Sequence, residues 1–112
     1  MGKFIKGSIV VVPFPFSDLS ASKRRPAIVL ANLLGDDLIL AQITSGNISD
    51  SMSIAIDSND VTDGALNVAS NVRPNKLFTA DDGIVLYKIG ALKEDKLKKV
   101  IAGVIEIFSD GN

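Results

Sequence analysis

Histidine, cysteine and tryptophan are all missing from the 112 residues of this chain. Without histidine there is no imidazole general base, and the Ser-His-Asp and Cys-His nucleophile systems are excluded with it. Without cysteine there are no thiolates, no disulfides and none of the zinc sites that cysteine and histidine build. Any chemistry falls to arginine, lysine, carboxylates and hydroxyls. Long apolar runs are missing too. The stretch from Ile9 to Phe16 covers eight residues and contains Pro13 and Pro15, whereas a membrane span needs roughly 20 apolar residues. It also lacks a small-residue cleavage site. It reads as a strand rather than a signal peptide, and the protein is expected in the cytoplasm, away from membranes.

What remains is the make-up of one globular domain over 1–112, with 46% hydrophobic and 22% charged residues and no low-complexity tract. A net charge of -1 argues by itself against a nucleic-acid binder. The average conceals a division: residues 1–34 balance at +4, residues 35–72 at -6 and residues 73–112 at +1. Such segregation allows a basic and an acidic face on one body, although a scatter of solvated charges fits the same arithmetic.

Strands come first along the chain and a helix last. Residues 8–14, Ser-Ile-Val-Val-Val-Pro-Phe, are β-branched and aromatic, and the prolines at 13 and 15 keep them from continuing as a central strand. Residues 17–25 are small, polar and basic and read as a loop. Pro26–Ala31 and Leu38–Thr44 are the second and third strands, separated by a turn at Asp36-Asp37. Met52–Asp57 alternates weakly as a fourth strand, and 57–64 is rich in Asn, Asp and Gly and reads as a loop. Strands five and six are expected around Ser70–Phe78 and Ile84–Ile89, with Asp81-Asp82-Gly83 turning between them. From there the period changes, because Leu97, Val100, Ile101, Val104, Ile105 and Phe108 recur at helical spacing and predict an amphipathic helix over 93–108. One helix on five or six short, mostly antiparallel strands describes a mainly β, half-open barrel.

Three motifs carry potential chemistry. Arg25-Pro26 presents a guanidinium from a fixed base, suited to a two-pronged grip on phosphate or to plain solvation at a loop end. Thr44-Ser45-Gly46 offers two hydroxyls beside an open backbone, for a phosphate oxygen or simply for a turn. Arg73-Pro74-Asn75-Lys76 adds cations and an amide, which would equally protect a strand edge.

Taken in order, Ile9-Val10-Val11-Val12-Pro13-Phe14-Pro15-Phe16-Ser17-Asp18, Arg24-Arg25-Pro26-Ala27-Ile28-Val29-Leu30 and Ala41-Gln42-Ile43-Thr44-Ser45-Gly46 resemble the MazF/PemK family of toxin endoribonucleases. Ser70-Asn71-Val72-Arg73 and Ile89-Gly90-Ala91-Leu92 extend the resemblance over nearly the whole chain. It implies an SH3-like antiparallel barrel of five to seven strands with a C-terminal amphipathic helix, shared with the CcdB gyrase poisons. A homodimer and a cognate antitoxin are implied as well. The implied reaction is cleavage of single-stranded RNA without metal or other cofactor, the 2′-hydroxyl attacking its own phosphate to leave a 2′,3′-cyclic phosphate. Arg25 matches the family's catalytic arginine and Thr44 its phosphate-contacting threonine, while Arg73 matches a second arginine of the Kid/PemK branch. Asp18, Lys23, Arg24, Ser45, Asn75 and Lys76 complete the candidate set. The chain departs from that branch where Asn75 replaces an aspartate base and where the first loop has no histidine. Three readings follow: the arginine and threonine suffice, or Asp18 supplies the carboxylate, or the member cuts slowly or not at all. A catalytically silent nucleic-acid or protein binder, or a gyrase poison, is the alternative class.

Overall fold

The computed structural model describes residues 4–14, 23–45 and 51–110. The strands are β1 (Ser8–Phe14), β2 (Lys23–Asn32), β3 (Asp37–Ser45), β4 (Ile54–Ile56), β5 (Val61–Thr62), β6 (Ser70–Asp81) and β7 (Tyr87–Leu92), followed by the helix α1 (Glu94–Asp110). The seven strands of the described residues form one antiparallel sheet in the order β4-β6-β3-β2-β1-β7-β5.

That order forces the sheet to curl. β4 and β5 lie at opposite edges, yet only residues 57–60 separate them in sequence. Five peptide steps reach at most about 18 Å, whereas six inter-strand spacings in a flat sheet would put the edges about 29 Å apart. The edges therefore meet, and the main core records it. Ile9, Ile28, Ile43, Ile56, Val61, Val72, Leu92 and the helical Val100 pack in one buried cluster that takes a residue from every strand. The opposite face buries Val10, Val12, Ala27, Val29, Leu38 and Leu40 beneath Phe4, Phe78, Ala80 and Val85. Because β1 and β2 are covered on both faces, they read in sequence as unbroken apolar runs rather than as alternation.

The β4–β5 link is a single 3₁₀ turn, Ser58–Asp60, capped by the Asp57 carboxylate, which accepts from Asn59 N–H at 2.9 Å. Lys96 of α1 ties the turn to the helix, with its Nζ 3.8 Å from Asp60 Oδ1 and donating to the Ala55 carbonyl at 3.2 Å. Leu97, Ile101 and Val104 pack on the core as expected from their period. The end of the same stripe does not, since Ile105 and Phe108 are exposed. No described helix is long and apolar enough to cross a membrane.

Several boundaries differ from expectation for physical reasons. Lys23–Arg25 are strand rather than loop, because register with Phe14, Pro13 and Val12 of β1 overrides their polar character. The fourth strand shrinks to three residues, and the stretch read as a loop contributes the two-residue β5. The sixth expected strand starts three residues late. Asp81 Oδ1 accepts from Gly83 N–H at 2.7 Å and draws Asp82–Ile84 into a 3₁₀ turn, so that β7 begins at Tyr87.

Closure also depends on two glycines. A Cβ at Gly64 would lie 1.8 Å from the carbonyl oxygen of Ile89, and one at Gly90 2.8 Å from a Val61 methyl. Only a backbone without side chains lets the segment after β5 lie flat on β7. Gly64→Ala is expected to cost about 2 kcal/mol or more and to lower the melting temperature by roughly 10 °C, read by circular dichroism; an unshifted melt would show that the close approach is dispensable.

Candidate active site

The site arises where the sheet splits. Gly7 N–H donates to the Val29 carbonyl at 2.8 Å, so the polar backbone groups of Val29, and by alternation those of Ala27 and Arg25, point toward β1. Those of Ile28 and Pro26 then point toward β3. Pro26 has no N–H to give, and the β2–β3 ladder indeed begins only at Ala27↔Gln42. The same happens on the other side. Leu86 N–H donates to the Val11 carbonyl at 2.9 Å, which turns Pro13 toward β7, and the β1–β7 ladder stops at Val11↔Tyr87. Beyond these points, among the described residues, β1 and β2 pair only with each other, through Val12↔Arg25, Pro13↔Arg24 and Phe14↔Lys23. As expected of its prolines, β1 does not continue there as a central strand.

This ribbon carries the arginines, and β3 ends beside it. Ile43, Thr44 and Ser45 keep their pairing with Val72, Asn71 and Ser70 of β6. Extending the β2–β3 register past its last rung sets Arg25 opposite Thr44 and Arg24 opposite Ser45, across a gap with no ladder. Directly opposed residues share a face, so Arg25 and Thr44 belong to one side of the split and Arg24 and Ser45 to the other. A groove of about 400 Å³ runs through the gap and is lined on this wall by Arg24, Arg25, Pro26, Thr44 and Ser45. Its other wall consists of Leu66, Asn67 and Val68 with Tyr87 and Ile89 of β7. Among the described residues, the groove's lining has two arginines and no carboxylate. Two of the acids, Asp57 and Asp60, lie with Lys96 in an adjoining depression that shares Val68 and Ser70 with the groove.

Thr44 has an unusual hydroxyl. Its Oγ1 is buried, and among the described residues it has no hydrogen-bond partner. A desolvated hydroxyl without a partner costs free energy, and its position at the base of a cationic groove suits an incoming acceptor or donor.

The remaining candidates divide. Arg73 stands opposite Gln42, one step diagonally from Thr44 on the same face of the β3–β6 pair, and is half-buried. The β3–β6 register then jumps from Gln42↔Arg73 to Ala41↔Leu77, so Pro74, Asn75 and Lys76 bulge out of the ladder. Asn75 and Lys76 are exposed, and neither lines the groove. Lys23 is exposed at the ribbon's end. Asp18 and Gly46 lie outside the described residues. Sequence reasoning missed Tyr87 and the wall from Leu66 to Val68. Tyr87 is the chain's one tyrosine and is 52% exposed, which is a signal in itself, but its proximity to Arg25 is created only by the curl.

The fold is a small curled antiparallel barrel with a C-terminal helix and a cationic split. The sequence profile of the PemK-like, MazF-like toxins of type II toxin-antitoxin systems matches residues 5–108, and the chain belongs to that family. Among solved structures, MazE-MazF from Deinococcus radiodurans is similar, with a TM-score of 0.76, 17% identity and coverage of 95% of this chain and 96% of that one. An endoribonuclease in complex with its cognate antitoxin from a Mycobacterial species gives 0.75 at 10% identity, covering 95% of each chain. The Mycobacterium tuberculosis toxin MazF-mt6 gives 0.71 at 17%, covering 91% and 96%. At these identities the likeness is one of fold. Comparison with curated proteins gives no match.

The orphaned hydroxyl generates a stability prediction. Thr44→Val exchanges a desolvated O–H for a methyl group of similar volume and should leave the melting temperature unchanged or raise it by a few degrees. A fall of several degrees would mean that the hydroxyl is satisfied within the fold.

Proposed function

We propose that the chain is the toxin of a type II toxin-antitoxin pair and acts as an endoribonuclease on single-stranded RNA in the cytoplasm, as a single domain spanning 1–112 that works as a homodimer. The observation that carries this reading is that Arg25 and Thr44, whose hydroxyl has no hydrogen-bond partner among the described residues, line one groove at the β2–β3 split that has no carboxylate among its described lining residues. Family membership and the likeness in fold to an endoribonuclease solved in complex with its cognate antitoxin support it.

The reaction assigned to this groove uses the substrate's own nucleophile. The ribose 2′-oxygen attacks the adjacent phosphorus and gives up its proton, the bond from phosphorus to the 5′-oxygen breaks, and the departing 5′-oxygen takes a proton delivered at Arg25, so that the products end in a 2′,3′-cyclic phosphate and a 5′-hydroxyl. Negative charge builds on the non-bridging oxygens. The Arg25 guanidinium, presented from a strand rather than a loop tip, offers fixed donors to that charge. Thr44 Oγ1 orients the phosphate, Arg73 supplies a second contact from the neighbouring strand, and Arg24, Lys23, Ser45 and Lys76 attract and guide the backbone. Because no bound water has to be activated, the step requires no metal ion. The proton leaving the 2′-oxygen needs an acceptor. The Asn75 amide is not one, and Asp18 is the only carboxylate in the candidate set. An antitoxin segment of acidic and apolar character suits the cationic groove and its apolar far wall.

Arg25→Ala should lower the rate of RNA cleavage on the order of 10²-fold or more, with a melting temperature within about 2 °C of the parent, since the residue sits outside both cores. Cleavage of a mixed-sequence RNA resolved on a gel reads the first quantity. An Arg25→Ala protein that cuts as fast as the parent would remove the groove from the mechanism.

A further inference from the structure

The two walls of the groove differ in chemistry. The β2–β3 wall carries Arg24, Arg25, Thr44 and Ser45, a set suited to the sugar–phosphate backbone. The facing wall is apolar and aromatic: Tyr87 is 52% and Val68 58% exposed, with Ile89 between core and groove and the Asn67 amide beside them. Grouped on one wall of a groove, such half-exposed apolar side chains offer a surface that a ligand's apolar face can cover. The pleat fixes how they are presented. Tyr87 and Pro26 are both in register with Val11, so the ring stands on the face of Pro26 and Arg24, across two strand spacings, and it meets Arg25 and Thr44 in the groove that all of them line.

We infer that Tyr87 is the stacking platform for a base flanking the phosphate held at Arg25 and Thr44, with Val68 closing the sandwich and Asn67 in reach of the base edge. The inference rests on the ribonuclease reading and adds to it a residue that selects base-bearing, unpaired RNA over backbone alone. Stacking needs the π-face of the base, which a duplex keeps covered. Two strand spacings of about 4.8 Å separate β7 from β2, which is comparable to the distance from one nucleotide's phosphate to its neighbour's base. The wall is held in place by the close approach of Gly64 to Ile89 of β7 and of Gly90, on β7, to Val61 of β5, so the platform is preorganised rather than formed on binding.

The chain provides its own reporter. With one tyrosine and no tryptophan, tyrosine emission comes from residue 87 alone. The probes are fully 2′-methoxy RNA 20-mers of mixed sequence, which cannot be cleaved by 2′-attack, and 20-mers of the same 2′-methoxy sugar–phosphate backbone without bases. The wild-type protein should bind the base-bearing probe roughly ten- to a hundredfold more tightly than the abasic one, with quenched tyrosine emission only for the former. In Tyr87→Ala the preference should collapse toward unity, and Tyr87→Phe should retain it, both read by anisotropy of end-labelled probe. Arg25→Ala should weaken both probes by a similar factor and leave the quench at saturation intact. A base preference that survives in Tyr87→Ala, or emission that is unchanged at saturating RNA, overturns the inference while leaving the ribonuclease reading standing. Emission that changes on dilution without RNA also overturns it, since the ring would then pack against a second copy of the chain. If instead natural RNA is not cut and Arg25→Ala changes nothing, the ribonuclease reading fails on its own, whatever Tyr87 does.

Discussion

Two missing N–H groups organise this molecule. Pro26 faces β3 and Pro13 faces β7, and each withdraws the donor on which the next rung of a ladder would be built. Elsewhere an interrupted ladder would be a weakness, because unpaired strand groups invite aggregation. Here the interruption lets β1 and β2 leave the sheet together as a ribbon of mutually paired residues, so the arginines ride on hydrogen-bonded backbone while the space beside them stays open. Rigid presentation and an open groove usually conflict; placing the prolines on the outward sides of one strand pair reconciles them.

The second wall of the groove follows from a different constraint, the four residues between β4 and β5. They are too few to join the edges of a flat sheet, so the sheet curls, and the curl brings the segment after β5 onto β7. Gly64 and Gly90 permit that approach at distances no side chain tolerates. The result is a cationic face and an apolar face about one nucleotide apart, on a protein whose net charge is -1. Among the described residues the groove is lined by arginines and no acid, while Asp57 and Asp60 lie in an adjoining depression beside Lys96.

What was legible in the sequence was legible through burial. Ile9 to Val12 and Ala27 to Leu30 are buried on both faces, so their apolar runs announced strands, and the 3.6-residue period from Leu97 to Val104 announced the helix. Legibility failed where the decisive partner is distant in sequence. Lys23–Arg25 look like loop until β1 is set beside them, and Ile84 looks like strand until the Asp81 carboxylate captures Gly83 N–H. Ile105 and Phe108 belong to the periodic stripe, but the sheet ends before it reaches them. The site divides in the same way. Arg25 and Thr44 stood out through their local motifs, whereas Tyr87 and Val68 enter the groove only through the curl, which no local motif encodes.

The central claim is that this groove stabilises phosphorus during attack by the substrate's own 2′-hydroxyl. It is tested most directly by the ends of the products. The full-length protein would be incubated with a long mixed-sequence RNA in excess EDTA, and the fragments analysed by mass spectrometry before any phosphatase treatment. The account predicts discrete fragments whose upstream pieces carry a 2′,3′-cyclic phosphate and whose downstream pieces begin with a 5′-hydroxyl. Fragments bearing a 5′-phosphate, or cleavage that appears only when magnesium is restored, would contradict it.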